Sequence, residues 1–236
     1  MEIKIGIARA NKYEFSSCGD CCDIVERPTG GVSVVMVDGQ GNGAPAHSIA
    51  SFVIGKARSL IEGGTRDDDV ARSVHEALYD LSDRRMAAEL TIVGVDCEAE
   101  SIIVSRNTSA PVIICAEEYE AVYDDEAGAI GVNRHVNPLI CEIPYEANMI
   151  AVAYTDGIRL AGKKRGGRRI DTQKIVSIVR DNSVDDVDFI ARSIIDLALE
   201  MDGGEAADDM TVVVLGLKET ADEGARIDSL SASYSI

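Results

Sequence analysis

Hydrophobic positions along the chain follow two periods, and the period changes in blocks. Alternating or continuous β-branched runs fill residues 2–8, 31–38, 89–96, 100–106, 111–116, 138–143, 149–155 and 210–217, with a weaker run at 22–27. Each predicts a strand, because side chains change face every second residue on a pleated sheet. Apolar residues at helical spacing occupy 45–62 and 67–86, then 170–181 and 184–201, so the helices come in pairs. The order is strands, a helix pair, five or so strands, a second helix pair and a last strand. Segregated runs predict antiparallel sheets covered by helices, whereas a parallel sheet would need alternating βαβ units. The expected class is α+β, with two antiparallel sheets inside and helix pairs outside. A length of 236 residues suits one such domain, here expected over 1–217, and no internal repeat or linker marks a second. After Leu217 the segment KETADEGARIDSLSASYSI is polar and aperiodic, which predicts a mobile tail over 218–236.

Composition narrows the setting. No apolar run approaches the ~20 residues that span a bilayer, and the opening MEIKIGIARANKYEF interleaves charges with apolar residues, unlike a secretory signal. A cytoplasmic protein is expected, with no membrane partner. Aromatic residues are 4% and Trp is absent, so Val, Ile, Ala and Leu must fill the core. With 41 Asp and Glu against 23 Lys and Arg, the formal charge of −18 opposes nucleic acid and anionic lipid. Cys18, Cys21, Cys22, Cys97, Cys115 and Cys141 read as reduced thiols, since a cytosolic chain of this size needs no disulfides.

The acidic residues recur at strand ends. Val34-Val35-Met36-Val37-Asp38-Gly39 and Ile150-Ala151-Val152-Ala153-Tyr154-Thr155-Asp156-Gly157 each carry an aspartate as an apolar strand gives way to a turn. Asp208-Asp209 stands directly before Met210-Thr211-Val212-Val213-Val214-Leu215, and Cys18-Gly19-Asp20 is a fourth case. Taken singly, Asp-Gly after a strand is ordinary turn chemistry. Four together raise a different reading, because gathered carboxylates repel unless a cation neutralises them, and hard oxygen ligands suit Mg²⁺ or Mn²⁺. Gly41-Asn42-Gly43-Ala44-Pro45-Ala46 matches a dinucleotide-binding pattern, but a helix rather than a parallel strand follows its helix. The later acidic ligands of a Ca²⁺ loop are missing there too. Cys18-x-x-Cys21-Cys22 is half of a zinc site with no second half.

These motifs, in the order Cys18-Gly19-Asp20, Val37-Asp38-Gly39-Gln40-Gly41-Asn42-Gly43, Tyr154-Thr155-Asp156-Gly157-Ile158 and Asp208-Asp209-Met210-Thr211-Val212, resemble the series of the metal-dependent serine/threonine protein phosphatases. Order and spacing are similar to the bacterial branch containing SpoIIE, RsbU and RsbX, over roughly residues 15–217. With no sensory, transmembrane or coiled-coil segment ahead of Cys18, the chain looks most like the free-standing, RsbX-like members. Cys18 departs from the Ser of many S-G-D motifs, without touching the presumed ligand beside it. The resemblance implies an αββα sandwich, in agreement with the element order.

It further implies two Mn²⁺ or Mg²⁺ ions and a water between them that attacks phosphorus, without a protein nucleophile. Carried over by residue, Asp38 would bridge the ions and the Gly39 carbonyl would complete one. Asp156 and Asp208 would hold the other, Asp20 would sit on the Gly39 side, and Asp209 would be the less certain member of its pair. Gly39, Gly41 and Gly43 would admit close backbone approach and positive φ. The implied partners are phosphorylated STAS-domain or stressosome proteins. A catalytically weak regulator, or a hydrolase of a small phosphorylated substrate, stays open beside the enzyme. His47 reads as a surface residue ahead of a proton donor. The basic run Lys163-Lys164-Arg165-Gly166-Gly167-Arg168-Arg169 reads either as a solvated loop or as a place where a phosphoprotein docks.

Overall fold

The computed structural model describes residues 1–82 and 85–220. Its strands are β1 (Glu2–Ala10), β2 (Asp20–Glu26), β3 (Gly31–Gly39), β4 (Ala88–Asp96), β5 (Ser101–Asn107), β6 (Val112–Cys115), β7 (Glu120–Tyr123), β8 (Leu139–Pro144), β9 (Ile150–Tyr154) and β10 (Met210–Lys218). The helices are α1 (Gly43–Glu62), α2 (Asp67–Ser82), the single turn α3 (Asp156–Arg159), α4 (Thr172–Arg180) and α5 (Val187–Met201). One sheet has the order β1-β10-β9-β6-β7 and the other β2-β3-β4-β5-β8. Neighbouring strands run antiparallel throughout both.

Strand alternation sorts the side chains into three apolar layers. On β3, Val34 and Met36 enter the layer between the sheets, while Val35 and Val37 pack under α1 and α2. On β10, Val213 and Leu215 enter the same middle layer, while Val212 and Val214 meet α4 and α5. Covering both faces is why β10 reads as an unbroken apolar run, a pattern otherwise typical of buried parallel strands. The expected αββα sandwich is the observed one.

Several boundaries differ from expectation. β2 begins at Asp20, two residues before the weak run at 22–27. α2 is helical to Ser82, and residues 85–87 have no regular structure, so the helix expected to 86 is shorter. The block 184–201 divides, because a capping box between Ser183 and Asp186 starts a 3₁₀ turn and α5 follows from Val187. β7 was not expected. The tail expected over 218–236 falls largely outside the described residues, β10 itself closing at Lys218. None of the described helices is long and apolar enough to cross a membrane.

Candidate metal centre

Pairing register brings the carboxylates together. Asp20 lies opposite Asp38 across β2 and β3, and Asp38 lies opposite Glu89 across β3 and β4. All three share the parity of the middle layer, following Cys22 and Ile24, Val34 and Met36, and Val93 and Val95 on their strands. At this end of the sandwich the apolar layer therefore gives way to three acids in a row. Like charges directly opposite in a sheet repel, so the row needs an external reason.

The second sheet faces this row with hydroxyls. The Thr155 and Thr211 Oγ1 atoms donate to Asp20 Oδ2 at 2.9 and 2.8 Å. Thr155 Oγ1 also accepts the Thr211 N–H at 3.0 Å. Asp20 is fully buried, and its other oxygen, Oδ1, is enclosed without a hydrogen-bond partner. Glu89 is held by the Thr108 hydroxyl. It also takes longer bonds of 3.4 Å from the Ser109 N–H and hydroxyl. The Asn107–Pro111 turn thus contributes its hydroxyls to the acidic row. A void of about 10 Å³, close to the least that encloses one water, lies among Asp38, Glu89, Thr91, Thr108 and Thr155.

Electrostatics confirm the crowding. Burial, chiefly, pushes the Asp20 carboxyl up to about 7; the Thr211 and Thr155 bonds oppose this, and Asp209 and Asp156 add to it. Asp38 is pushed up to about 9, first by burial and then by Asp20, Asp156, Glu89 and Asp208. Asp156 is raised by burial and by Asp208, against the pull of Lys164 and a hydrogen bond with Asp38. Burial also raises Glu89. Desolvation and like charge both disfavour ionised carboxylates.

Two acids already have partners. The Lys164 ammonium pairs with Asp208 Oδ2, and Lys12 Nζ lies 3.9 Å from Asp208 Oδ1. Both oxygens of Asp209 accept backbone N–H groups, from Lys12 at 2.8 Å and from Gly19 at 2.7 Å. Asp209 thereby holds the two ends of the β1–β2 connection. Among the described residues no group of three or more His, Cys, Asp or Glu side chains is arranged to hold a metal ion as it stands. The donors nonetheless fit a hard divalent cation: they are oxygens, they repel one another, and a buried oxygen of Asp20 lacks a partner.

The glycines act differently from expectation. Gly41 and Gly43 do have positive φ, 110° and 62°, but Gly39 does not. A Cβ on Gly39 would stand 2.1 Å from the Ala46 carbonyl oxygen, so it is the approach of α1 that requires glycine there. His47 Nδ1 lies 3.0 Å from the Cys18 carbonyl and 3.5 Å from Cys21 Sγ. All six cysteines are free thiols. Glu89 and Lys12 escaped the sequence reading, and Lys164, Thr155 and Thr211 were named there in the basic run and the motifs without a contact to the carboxylates. For Glu89 the available signal was its parity, an acid continuing the face of Thr91, Val93 and Val95.

An αββα sandwich whose middle layer ends in strand-end carboxylates is the fold of the PP2C-type phosphatase domains. The chain belongs to the SpoIIE family: the model described as Stage II sporulation protein E (SpoIIE) matches residues 28–218, a stretch that starts after Asp20. The curated Stage II sporulation protein E of Priestia megaterium is 20% identical over 227 residues, covering 96% of this chain and 38% of its own length. The solved PP2C phosphatase domain with a regulatory-domain fragment of SpoIIE from Bacillus subtilis superposes with a TM-score of 0.78 at 19% identity. That match covers 94% of this chain and 64% of the other. RsbX in complex with magnesium superposes at 0.70 with 15% identity, covering 92% and 96%. The chain thus spans less than two thirds of the P. megaterium protein and of the B. subtilis fragment.

Proposed function

We propose that this chain is a metal-dependent phosphoserine/phosphothreonine protein phosphatase. Its ligand set would be Asp20, Asp38, the Gly39 carbonyl, Asp156 and Asp208, taking two Mn²⁺ or Mg²⁺ ions. The observation that carries the reading is the convergence of four acidic motifs, far apart in sequence, on the end of the inter-sheet layer. The magnesium held by RsbX in its solved complex supports the choice of a hard cation. When bound, such ions supply charge that activates a water at neutral pH and neutralises phosphoryl oxygens.

The residues of the chain have distinct tasks in this reading. Thr155 and Thr211 fix the rotamer of Asp20 and tie it to the opposite sheet. Asp38, set in register between Asp20 and Glu89, would be a central ligand of the metal centre. Asp208, which pairs with Lys164, would be a ligand of the cation, and Lys164 stands beside it as a positive charge able to meet the substrate's phosphate. Asp209, with both oxygens committed to backbone donors, positions the loop that carries Asp20. The substrate we assign is a phosphorylated STAS-domain or stressosome protein of a partner-switching pathway, on the strength of the RsbX-like motif series.

Phosphate release from a phosphoserine peptide tests the proposal. Release is expected with Mn²⁺ or Mg²⁺, lost on chelation and regained on adding metal. Activity that survives exhaustive chelation would overturn the two-metal reading. Absence of release at any metal concentration would leave a phosphoprotein-binding regulator.

A further inference from the structure

The charge of the chain reverses in one place. Six of its 23 Lys and Arg residues, Arg159, Lys163, Lys164, Arg165, Arg168 and Arg169, fall within eleven positions. Three have acidic partners: Arg159 with Glu126 at 3.7 Å, Lys164 with Asp208, and Arg165 with Glu205 at 3.4 Å. Lys163, Arg168 and Arg169 are exposed and form no ion pair among the described residues. In a protein with almost twice as many acids as bases, unpaired cations side by side are a departure that needs a cause.

The segment that carries them is built rather than loose. Gly162 and Gly166 turn it with φ of 83° and 80°, and the Gly167 N–H closes it onto the Gly162 carbonyl at 3.0 Å. Buried Asp202 anchors its base, accepting the Gly162 N–H at 2.7 Å and the Ala207 N–H at 3.0 Å. Preorganised cations lose less freedom on meeting a partner than cations on a free coil.

The three cations line a cleft of about 750 Å³ whose apolar surface includes Pro111 and Ile170. The cleft reaches the acidic centre at two points. Ser109 lines it while also hydrogen-bonding Glu89. Arg159 lines it from one helical turn beyond Asp156, a spacing of roughly 5–6 Å between side-chain roots. Asp124, Glu126 and Asp171 line it too, so four cations stand against three acids; Glu126 is the partner of Arg159, and Lys163, Arg168 and Arg169 are the cations of the cleft that form no ion pair among the described residues.

We infer that this cleft docks the polypeptide segment flanking the phosphorylated residue, and that it selects segments carrying acidic side chains. The inference rests on the phosphatase reading for the identity of the substrate, but the docking itself requires no turnover. Lys163, Arg168 and Arg169 line one cleft, and an extended segment rising roughly 3.3 Å per residue can meet them in turn. The overall charge of −18 repels a polyanion such as RNA at long range, and it leaves this cleft as the place where a short acidic stretch is oriented.

The test uses the full chain and two fluorescein-labelled phosphoserine peptides, one flanked by three Asp or Glu residues and one by three Gln. Fluorescence anisotropy at low salt is expected to give about tenfold tighter binding of the acidic peptide, the product of three exposed ion pairs, and the preference shrinks as salt rises. The variant Lys163→Gln, Arg168→Gln, Arg169→Gln is expected to bring the two peptides within twofold of each other, with thermal unfolding unchanged because the side chains are exposed. Charge reversal at the same three positions, to Glu, is expected to favour a peptide flanked by Lys. Turnover of p-nitrophenyl phosphate with Mn²⁺ should be the same in all three proteins. Equal binding of both peptides by the unaltered chain, or a preference that survives the Gln variant, would overturn the inference. Free phosphoserine binding as tightly as the acidic peptide would overturn it too, and would assign the cleft to a small phosphorylated ligand. If p-nitrophenyl phosphate is not hydrolysed at all, the phosphatase reading fails, while the anisotropy result still decides the docking.

Discussion

Asp38 concentrates the chemistry of the site in one residue. It is flanked in register by Asp20 and Glu89 and feels Asp156 and Asp208 as well, so whatever neutralises the cluster must act on it. Asp38→Asn is expected to lower kcat by about 10³ or more, through lost charge and a displaced water, which steady-state kinetics on a phosphopeptide would show. The metal-free variant should be at least as stable as the parent at pH 8, because one of several repelling acids is gone. A folded Asn variant with near-normal turnover would remove Asp38 from the centre. Asp20, Asp38, Asp156 and Asp208 were legible as candidates because each interrupts an aliphatic strand end. The partners of Asp20 were not, since Thr155 and Thr211 lie 135 and 191 residues away in sequence and nothing local announces a contact between sheets.

At the scale of elements, α1 and β3 set the spacing of the site. Ala46, Ala50 and Ala57 are buried on α1, a stripe of small residues that lets the helix lie close over Val35 and Val37. Gly39→Ala puts a methyl against the Ala46 carbonyl, which is backbone and cannot turn aside. The expected cost is about 1–3 kcal/mol from overpacking, read by urea denaturation, together with a weaker metal affinity as Asp38 shifts with its strand. Unchanged stability would show that α1 yields. Long periodic elements such as α1, α5, β3 and β10 were visible in the sequence because burial on a fixed face imposes a period. β7 was not: Glu-Ala-Val-Tyr is four residues, exposed or half-buried, and its place comes from pairing with β6. The early start of β2 was hidden because Asp20 breaks the apolar pattern at the point where it matters chemically.

For the whole molecule, the carboxylate cluster couples folding to pH and metal. Asp20 and Asp38 have folded-state values near 7 and 9, above the ~3.9 of an unfolded chain. The folded protein therefore binds more protons than the unfolded one between about pH 4 and pH 9, and its stability falls as pH rises through that window. Without metal, the melting temperature should drop from pH 5 to pH 9. With saturating Mn²⁺ the drop should flatten, because a bound cation holds the carboxylates ionised and binds only the folded state. Asp38→Asn should flatten it without metal. Parallel pH profiles with and without Mn²⁺ would contradict the assignment.

The register that sets Glu2 against Lys218 and Ala10 against Met210 makes the first strand of one sheet the neighbour of its last. On a ribosome adding about 5–20 residues per second, β1 waits roughly 10–40 s before β10 emerges to pair with it. β2, β3 and β4, by contrast, are consecutive and can form hairpins as they appear. The sheet of β2, β3, β4, β5 and β8 can thus close before β10 emerges and the other only once it has, and a chain stalled before residue 210 presents an open, aliphatic edge to chaperones and proteases.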